Sequence, residues 1–450
     1  MKAITDNAHG VDYRDLGYSE QDLSNLMKIA NVDIGSLNRQ SHQNLLVFPP
    51  RMDYYGDGIG GQHILSIHGD YLNTGNILGF VGINGTRLRI KSRFGKEDGE
   101  DYFLHYLLQK VLSINLFDLR FGTSDEPVFD FLLYLFPYYL KRALGQGLFK
   151  QYRRFEYNDA KVRGIIDVGR HVKENVPFKG TVAYSTREYS YDNSMTELIR
   201  HTIEFVSTKP QGRSLLQRDV RTVECIGQIR QATPSYAASR RQNILDANLR
   251  PVHHPFFSEY THLQRICVRI LKNAGIKFGD SDDTIYGVLF DGAWLWEEYL
   301  NTLLGKEGFI HPRNKEAKGG FRMFLKPDDR NSSYDNDRKL FPDFYKDNFI
   351  LDAKYKRLDK GLRREDLYQV VTYMYCRRAH MGAYVYPLEH EGKINRFQLS
   401  GYGDGTDSTG PGYIYVIPFA VPQNVSDWKD FCKQMSCSEE VLRSNCHLQV

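Results

Sequence analysis

The sequence predicts an α+β chain of several domains. A small N-terminal β module with helices spans 1–145, a central mixed α/β region spans 146–280, and a C-terminal two-layer α/β core spans 281–450. Three observations carry this. The chain has 450 residues, more than one hydrophobic core usually serves. From about Leu45 to Phe94 apolar and polar residues alternate and glycine breaks the pattern often, as in short strands. From about Tyr286 to Pro387 the order reads helix, hairpin, helix, strand, which packs as layers.

Tyr18–Ala30 reads as a short helix with Ser19 as its N-cap. Ile64–His68, Ile77–Val81 and Leu88–Lys91 read as strands, and Asn84-Gly85 is a hairpin-turn signal. Asp101–Ser113 turns helical, with Phe103, Leu104, Leu107, Leu108, Val111 and Leu112 on one stripe. Val128–Leu144 is a second, strongly apolar helix with a kink expected at Pro137. The central region runs through Lys150–Glu156, Val162–Phe178 and Tyr184–Asn193 to a helix over Ser194–Ser207. Arg153, Arg154, Lys161, Arg163, Arg170, Lys173, Lys179 and Arg187 give it a basic excess interleaved with Tyr and Phe. That pattern suits either a phosphate-backbone contact surface or a solvated face. Arg240–Ile244 reads as a loop between helices. Further on come a helix over Val288–Leu304, a polar, broken loop over Pro312–Ser333 and the hairpin. A helix over Arg364–Arg378 and a strand over Gly382–Tyr386 follow.

Composition excludes several classes. Hydrophobic residues make up 41% and charged residues 25%, ordinary values for a water-soluble domain protein. No apolar run approaches the length of a membrane span, and the N-terminus lacks a signal-peptide core, so a cytoplasmic protein without a membrane partner is expected. A net charge of +4 says little about nucleic acid by itself. The six cysteines form no CxxC pair and read as free thiols, and Cys432, Cys437, Cys446 and His447 match no zinc-site spacing. The glycine-rich stretch Gly56–Gly61 lacks the Lys-Ser/Thr end of a P-loop, so this chain is not expected to hydrolyse nucleotides.

The chemistry concentrates in Leu340–Lys356. Apolar residues flank Lys346-Asp347-Asn348, a turn-forming cluster. A turn centred between Asp347 and Asn348 sets Asp343 across from Asp352, with Cβ atoms roughly 4.5–5.5 Å apart. Lys354, two residues past Asp352, shares that face, while Phe344, Phe349, Leu351 and Ala353 take the other. Opposed carboxylates repel unless a cation or a shared proton joins them. With a lysine beside them they suit metal-assisted phosphodiester hydrolysis. Gln369 and Tyr373 lie four residues apart on one face of the next helix. Upstream, Glu297 interrupts an aromatic helix, where a buried carboxylate needs a cation or a donor.

Pro342-Asp343, Asp352-Ala353-Lys354, Gln369 with Tyr373, and Leu295–Tyr299 together resemble the PD-(D/E)xK nuclease core of the McrC family, the endonuclease subunit of modified-cytosine restriction systems. Gly164–Asp167, His171, Asn175, Pro177 and Arg187–Asn193 are similar to the block preceding that core. Gly79–Gly82 and Leu88–Phe94 are similar to the family's N-terminal β module. The resemblance implies a restriction-endonuclease-like C-terminal core that cuts DNA, in defence against phage. It implies Mg²⁺, with Mn²⁺ as the alternative ion, held by Asp343, Asp352, the Ala353 carbonyl and Glu297. Lys354 would orient or deprotonate a water, and Gln369 and Tyr373 would support the site. It implies an McrB-like AAA+ GTPase partner, docked through the N-terminal module and stimulated by it, and double-stranded, modified DNA as substrate. The competing expectations are a non-cleaving activator of the motor and a RecB-like repair nuclease. Glu298 stands beside Glu297 as an alternative helix acid.

Overall fold

The computed structural model describes residues 2–40, 45–49, 59–96, 100–112, 127–209, 212–252, 254–272, 285–312, 319–324, 339–400 and 410–446. Residues 1–118 and 279–450 form one compact unit and residues 119–278 a second. His447, the first three residues of Gly56–Gly61 and most of the loop expected over Pro312–Ser333 lie outside the described residues.

In the first unit, four strands that precede the second unit in the chain and one that follows it share one sheet. Its order is Lys2–Thr5, Thr86–Lys91, Ile77–Ile83, Ile285–Asp291, Leu45–Phe48. The turn between Ile83 and Thr86 is the expected one, with Asn84 and Gly85 both at positive φ (49° and 81°), the requirement of a two-residue hairpin turn. Ile285–Asp291 pairs antiparallel with Ile77–Ile83 and parallel with Leu45–Phe48, and all seven of its residues are buried. A Cβ at Gly79 would lie 2.1 Å from the Val288 carbonyl oxygen, so only glycine lets the two strands meet there. The helix expected from Val288 therefore begins later, at Gly292, and runs to Leu304 with Asp291 as its N-cap. An apolar run covered on both faces carries no period, which is why Val288–Asp291 read as helix.

The same unit holds a second five-stranded sheet, ordered Phe344–Lys346, Phe349–Ala353, Met381–Leu388, Gly412–Ala420, Asn395–Leu399. Its three central strands are parallel, and the two outer ones run antiparallel to their neighbours. Arg364–Arg377 is the crossover helix between the first two parallel strands. Its Val370 and Met374 pack on Ile350, Tyr384, Ile414 and Val416. Phe419, an odd number of residues past Val416, faces the other way and meets Trp296 and Tyr299 at ring distances of 5.4 and 5.9 Å. Helices thus cover both faces, three layers where the sequence suggested two. The buried central strands accord with this.

The second unit combines helices with an exposed three-stranded sheet of Gln151–Asp159, Val182–Ser190 and Ile165–Ile166. The helix Pro127–Leu144 runs through Pro137, and Ser194–Ser207 starts at an Asn193 capping box. Arg240–Ile244 is not a loop. It leaves a short 3₁₀ turn and enters the helix Arg241–Ala247 without any side-chain cap, so no capping signal marked its start. Among the described residues no helix is long and apolar enough to cross a membrane. The six cysteines are free thiols.

Candidate active site

The hairpin register places the site. Phe344 pairs with Leu351, Tyr345 with Ile350 and Lys346 with Phe349. Continued one step, that register opposes Asp343 to Asp352, as the turn at Asp347 (φ 46°) and Asn348 dictates. Asp343 Oδ2 accepts a hydrogen bond from the Ala353 amide at 2.7 Å, which pins the first acid to the second strand. Asp352 is fully buried, and neither of its carboxylate oxygens receives a well-directed hydrogen bond. Its near neighbour is Lys354 Nζ, 2.7 Å from Oδ2 as an ion pair.

Lys354 is held from the crossover helix as well. Its Nζ donates to Gln369 Oε1 at 3.4 Å, and Gln369 Nε2 donates in turn to the Tyr373 hydroxyl at 3.1 Å. The Tyr373 hydroxyl reaches the Phe341 carbonyl, just before Pro342-Asp343. The structure thus brings Asp343, Asp352, Ala353, Lys354, Gln369 and Tyr373 into one connected cluster.

Glu297 joins them through its field. Burial first, and then Asp343, Glu298 and Asp352, push its carboxyl well above the ordinary carboxylate range. A third of the side chain nevertheless remains open to solvent. Burial and the neighbouring Asp343 push Asp352 up to about 7, with Lys354 acting the other way. Burial also raises Asp343, against the Ala353 amide and Lys354. For Lys354, burial alone would lower the ammonium's pKa. Asp352, Asp343 and Asp366 outweigh it and hold the side chain protonated.

Two site residues escape a reading of the sequence. Asp366 lies 3.6 Å from Lys354 Nζ and 2.7 Å from Lys356 Nζ, so it steadies both lysines. Its signal was present: it precedes Gln369 by three residues on one helix face. His311 stacks on Phe344 at 4.9 Å, and its Nδ1 lies 2.8 Å from the Asp343 carbonyl. A carbonyl only accepts, so Nδ1 carries the proton. The same ring stands 3.7 Å from Glu297 Oε1 and 4.0 Å from Glu298 Oε1. Nothing local in the sequence marks this histidine.

Among the described residues no three His, Cys, Asp or Glu side chains stand together as a preformed metal cage. The donor set nevertheless fits a hard divalent cation. It consists of carboxylate oxygens, and the two on Asp352 are buried without directed donors, a state that ionisation makes costly unless a cation meets it.

A family model described as McrBC 5-methylcytosine restriction system component matches residues 72–387. The chain belongs to that family. The match spans every candidate site residue from Glu297 to Tyr373. No curated protein matches this McrBC family chain. Two solved structures from Thermococcus gammatolerans are similar to it. One is a half-complex from a tetradecameric assembly of McrB AAA+ hexamers with bound McrC, at 15% identity and TM-score 0.45, covering 97% of this chain and 99% of that one. The other is an McrBC complex, at 14% identity and TM-score 0.33, covering 70% and 89%. At those TM-scores neither likeness decides the fold.

In this McrBC family chain the basic block of the second unit is largely neutralised locally. Arg153 pairs with Asp192 and Glu197, Arg154 with Asp167, Arg163 with Asp159 and Arg170 with Glu156. Lys179 Nζ donates to the Glu174 carbonyl, and Arg187 lies over the Tyr152 ring. Of its two readings, the pairing favours the solvated face over a bare phosphate-binding strip.

Proposed function

We propose that this chain is the McrC-type subunit of its system: a Mg²⁺-dependent endonuclease on a PD-(D/E)xK core. It cuts modified-cytosine DNA when an AAA+ GTPase of the McrB kind engages it, and it stimulates that GTPase. The observation that carries the reading is Asp343 opposed to a buried, undonated Asp352, with Lys354 against it. Asp343, Asp352, Glu297 and the Ala353 carbonyl would hold Mg²⁺ or Mn²⁺. When bound, the ion supplies a more acidic water and neutralises charge on the phosphate. Lys354, protonated and braced by Gln369 and Asp366, orients the attacking water and donates toward the phosphate oxygens. Tyr373 holds Gln369 in place.

Family membership supports the GTPase partner, with docking expected at the N-terminal module. The second unit offers a further protein-contact surface, because Ile165, Val168, Val176 and Phe178 stand 81%, 66%, 62% and 70% exposed. The test is cleavage of methylated duplex DNA with Mg²⁺, with and without the GTPase. Asp352→Ala and Lys354→Ala should abolish cutting while cooperative melting survives, and retained cutting in both refutes the assignment. Cutting that ignores the GTPase would favour a free-standing repair nuclease. No cutting by the wild type, with GTPase stimulation intact, would favour a non-cleaving activator.

The DNA path is expected to cross the loop between the hairpin and the crossover helix. Lys360, Arg363 and Arg364 are exposed there, and no carboxylate among the described residues pairs with them. Asp366 ties Lys354 to Lys356, so chain length keeps the Cα atoms of all three within roughly 15 Å of the Cα of Lys356 or Asp366. Replacing all three by Gln should weaken DNA binding. It should also flatten the slope of log K against log salt by about 0.9 for each phosphate left without its cation. Titration over a salt series checks this, and an unchanged slope rules the loop out.

A further inference from the structure

The residue after Lys354 is gripped by the N-terminal sheet. Tyr355 is buried, and its hydroxyl shares a hydrogen bond with Ser92 Oγ at 2.8 Å. Its carbonyl oxygen accepts from Arg93 Nη2 at 2.5 Å. The Arg93 guanidinium lies 4.9 Å above the Tyr355 ring and 5.3 Å from the Phe94 ring, and it donates also to Asn76 Oδ1 at 3.1 Å. Asn76 then holds the other arm of the site. Its backbone carbonyl accepts from the amide of Gly292, the first residue of the helix that carries Glu297. A Cβ at Gly292 would lie 2.6 Å from the Tyr355 ring, so helix start and hairpin exit are in contact. Asp6, just past the strand Lys2–Thr5, anchors the whole group. Its Oδ1 accepts from the Arg93 amide at 2.6 Å, and its Oδ2 lies 3.6 Å from the guanidinium.

We propose that Arg93 is a positioning residue of the nuclease site, fixing the Tyr355–Lys356 peptide, one residue past Lys354, directly and the start of the Glu297 helix through Asn76. This rests on the nuclease reading above for its effect on cleavage, though not for the grip itself. A buried arginine held by an aspartate is often only a core ion pair. Here two of the donations run sideways, to the backbone next to the site lysine and to the residue that holds the acid-bearing helix. Displacing the Tyr355 carbonyl swings Lys354 relative to Asp352, and small displacements at a reacting centre cost rate steeply. Nη2 donates to both Tyr355 and Asn76 while Nη1 faces Asp6 and the guanidinium lies over two rings, a set of contacts that a single lysine ammonium does not reproduce.

Two variants test this, Arg93→Ala and Arg93→Lys, each checked first for cooperative melting. Arg93→Lys keeps the charge toward Asp6 but loses the fork, so it remains informative if the alanine variant fails to fold. Amide hydrogen exchange across 354–358 should accelerate about tenfold or more in either variant. Mg²⁺-dependent turnover should fall by a similar factor while KM for DNA stays within about twofold. Exchange and turnover at wild-type levels in both variants overturn the proposal. If exchange accelerates while the wild type itself cuts no DNA, the grip is confirmed and the nuclease reading falls.

Discussion

Asp352→Asn is expected to cut no DNA and yet to melt higher than the wild type at pH 8 without divalent metal. Burial, with Asp343 beside it, pushes Asp352 up to about 7 in the folded chain, against an ordinary 3.8. The folded state therefore binds this proton more tightly than the unfolded state does. Stability from this group is greatest near pH 4, falls as pH rises toward 7, and stays low above. At pH 8 the wild type carries the whole cost of a buried, ionised carboxylate, which Asn removes. The gain should be on the order of 1–4 kcal/mol, lessened by the lost pairing with Lys354. Thermal melts in EDTA at pH 8 and pH 5 check the sign, since the gap should narrow at the lower pH. Added Mg²⁺ should raise the wild type more than the variant. A variant that melts at or below the wild type at pH 8 sinks this account. Cleavage should drop by a factor of about 10³ or more, because the neutral amide no longer holds the cation that would neutralise charge on the phosphate.

A fragment of residues 281–450 is expected not to fold. It contains the candidate site, yet its first strand, Ile285–Asp291, lies between Ile77–Ile83 and Leu45–Phe48. Cutting at 281 exposes seven buried residues and opens both edges of that strand, a template for aggregation. It also strips Arg93 and Ser92 from Tyr355, and Tyr106 and Lys110 from the buried Glu439. Residues 119–278, contiguous and with their own core, should express alone and melt cooperatively. Circular dichroism melts of the two fragments decide it. A soluble 281–450 fragment with a sharp transition would show that the shared sheet is dispensable.

The hairpin was legible because its information is local. A turn cluster between apolar runs fixes the register, and register alone opposes Asp343 to Asp352. Gln369 and Tyr373 were legible from helical spacing, and Ser19 and Asn84-Gly85 from turn and cap chemistry. Val288–Asp291 was not, since a strand buried on both faces loses its alternation. His311 and the salt-bridged fate of Arg153 and Arg170 were hidden for another reason. Arg153 meets Glu197 44 residues on, Arg170 meets Glu156 14 residues back and His311 meets Asp343 32 residues on, and a charge reads as free until such a partner is placed. The choice between Glu297 and Glu298 was equally open, because both stand within 4.0 Å of His311. Burial and the nearby Asp343 and Asp352 raise the Glu297 carboxyl, and that field from the hairpin acids favours it.

The strand Ile285–Asp291 also sets a clock on biosynthesis. Its sheet partners, ending at Ile83, leave the ribosome about two hundred residues earlier, some 10–40 s before it at ordinary elongation rates. Until then the N-terminal sheet has an open edge and Arg93 has no Tyr355 to hold. The acids of the hairpin emerge later still. On the nuclease reading proposed above, the carboxylates would come together only after that edge is filled, so the nascent chain with its open edge is a client for chaperones before it could cut.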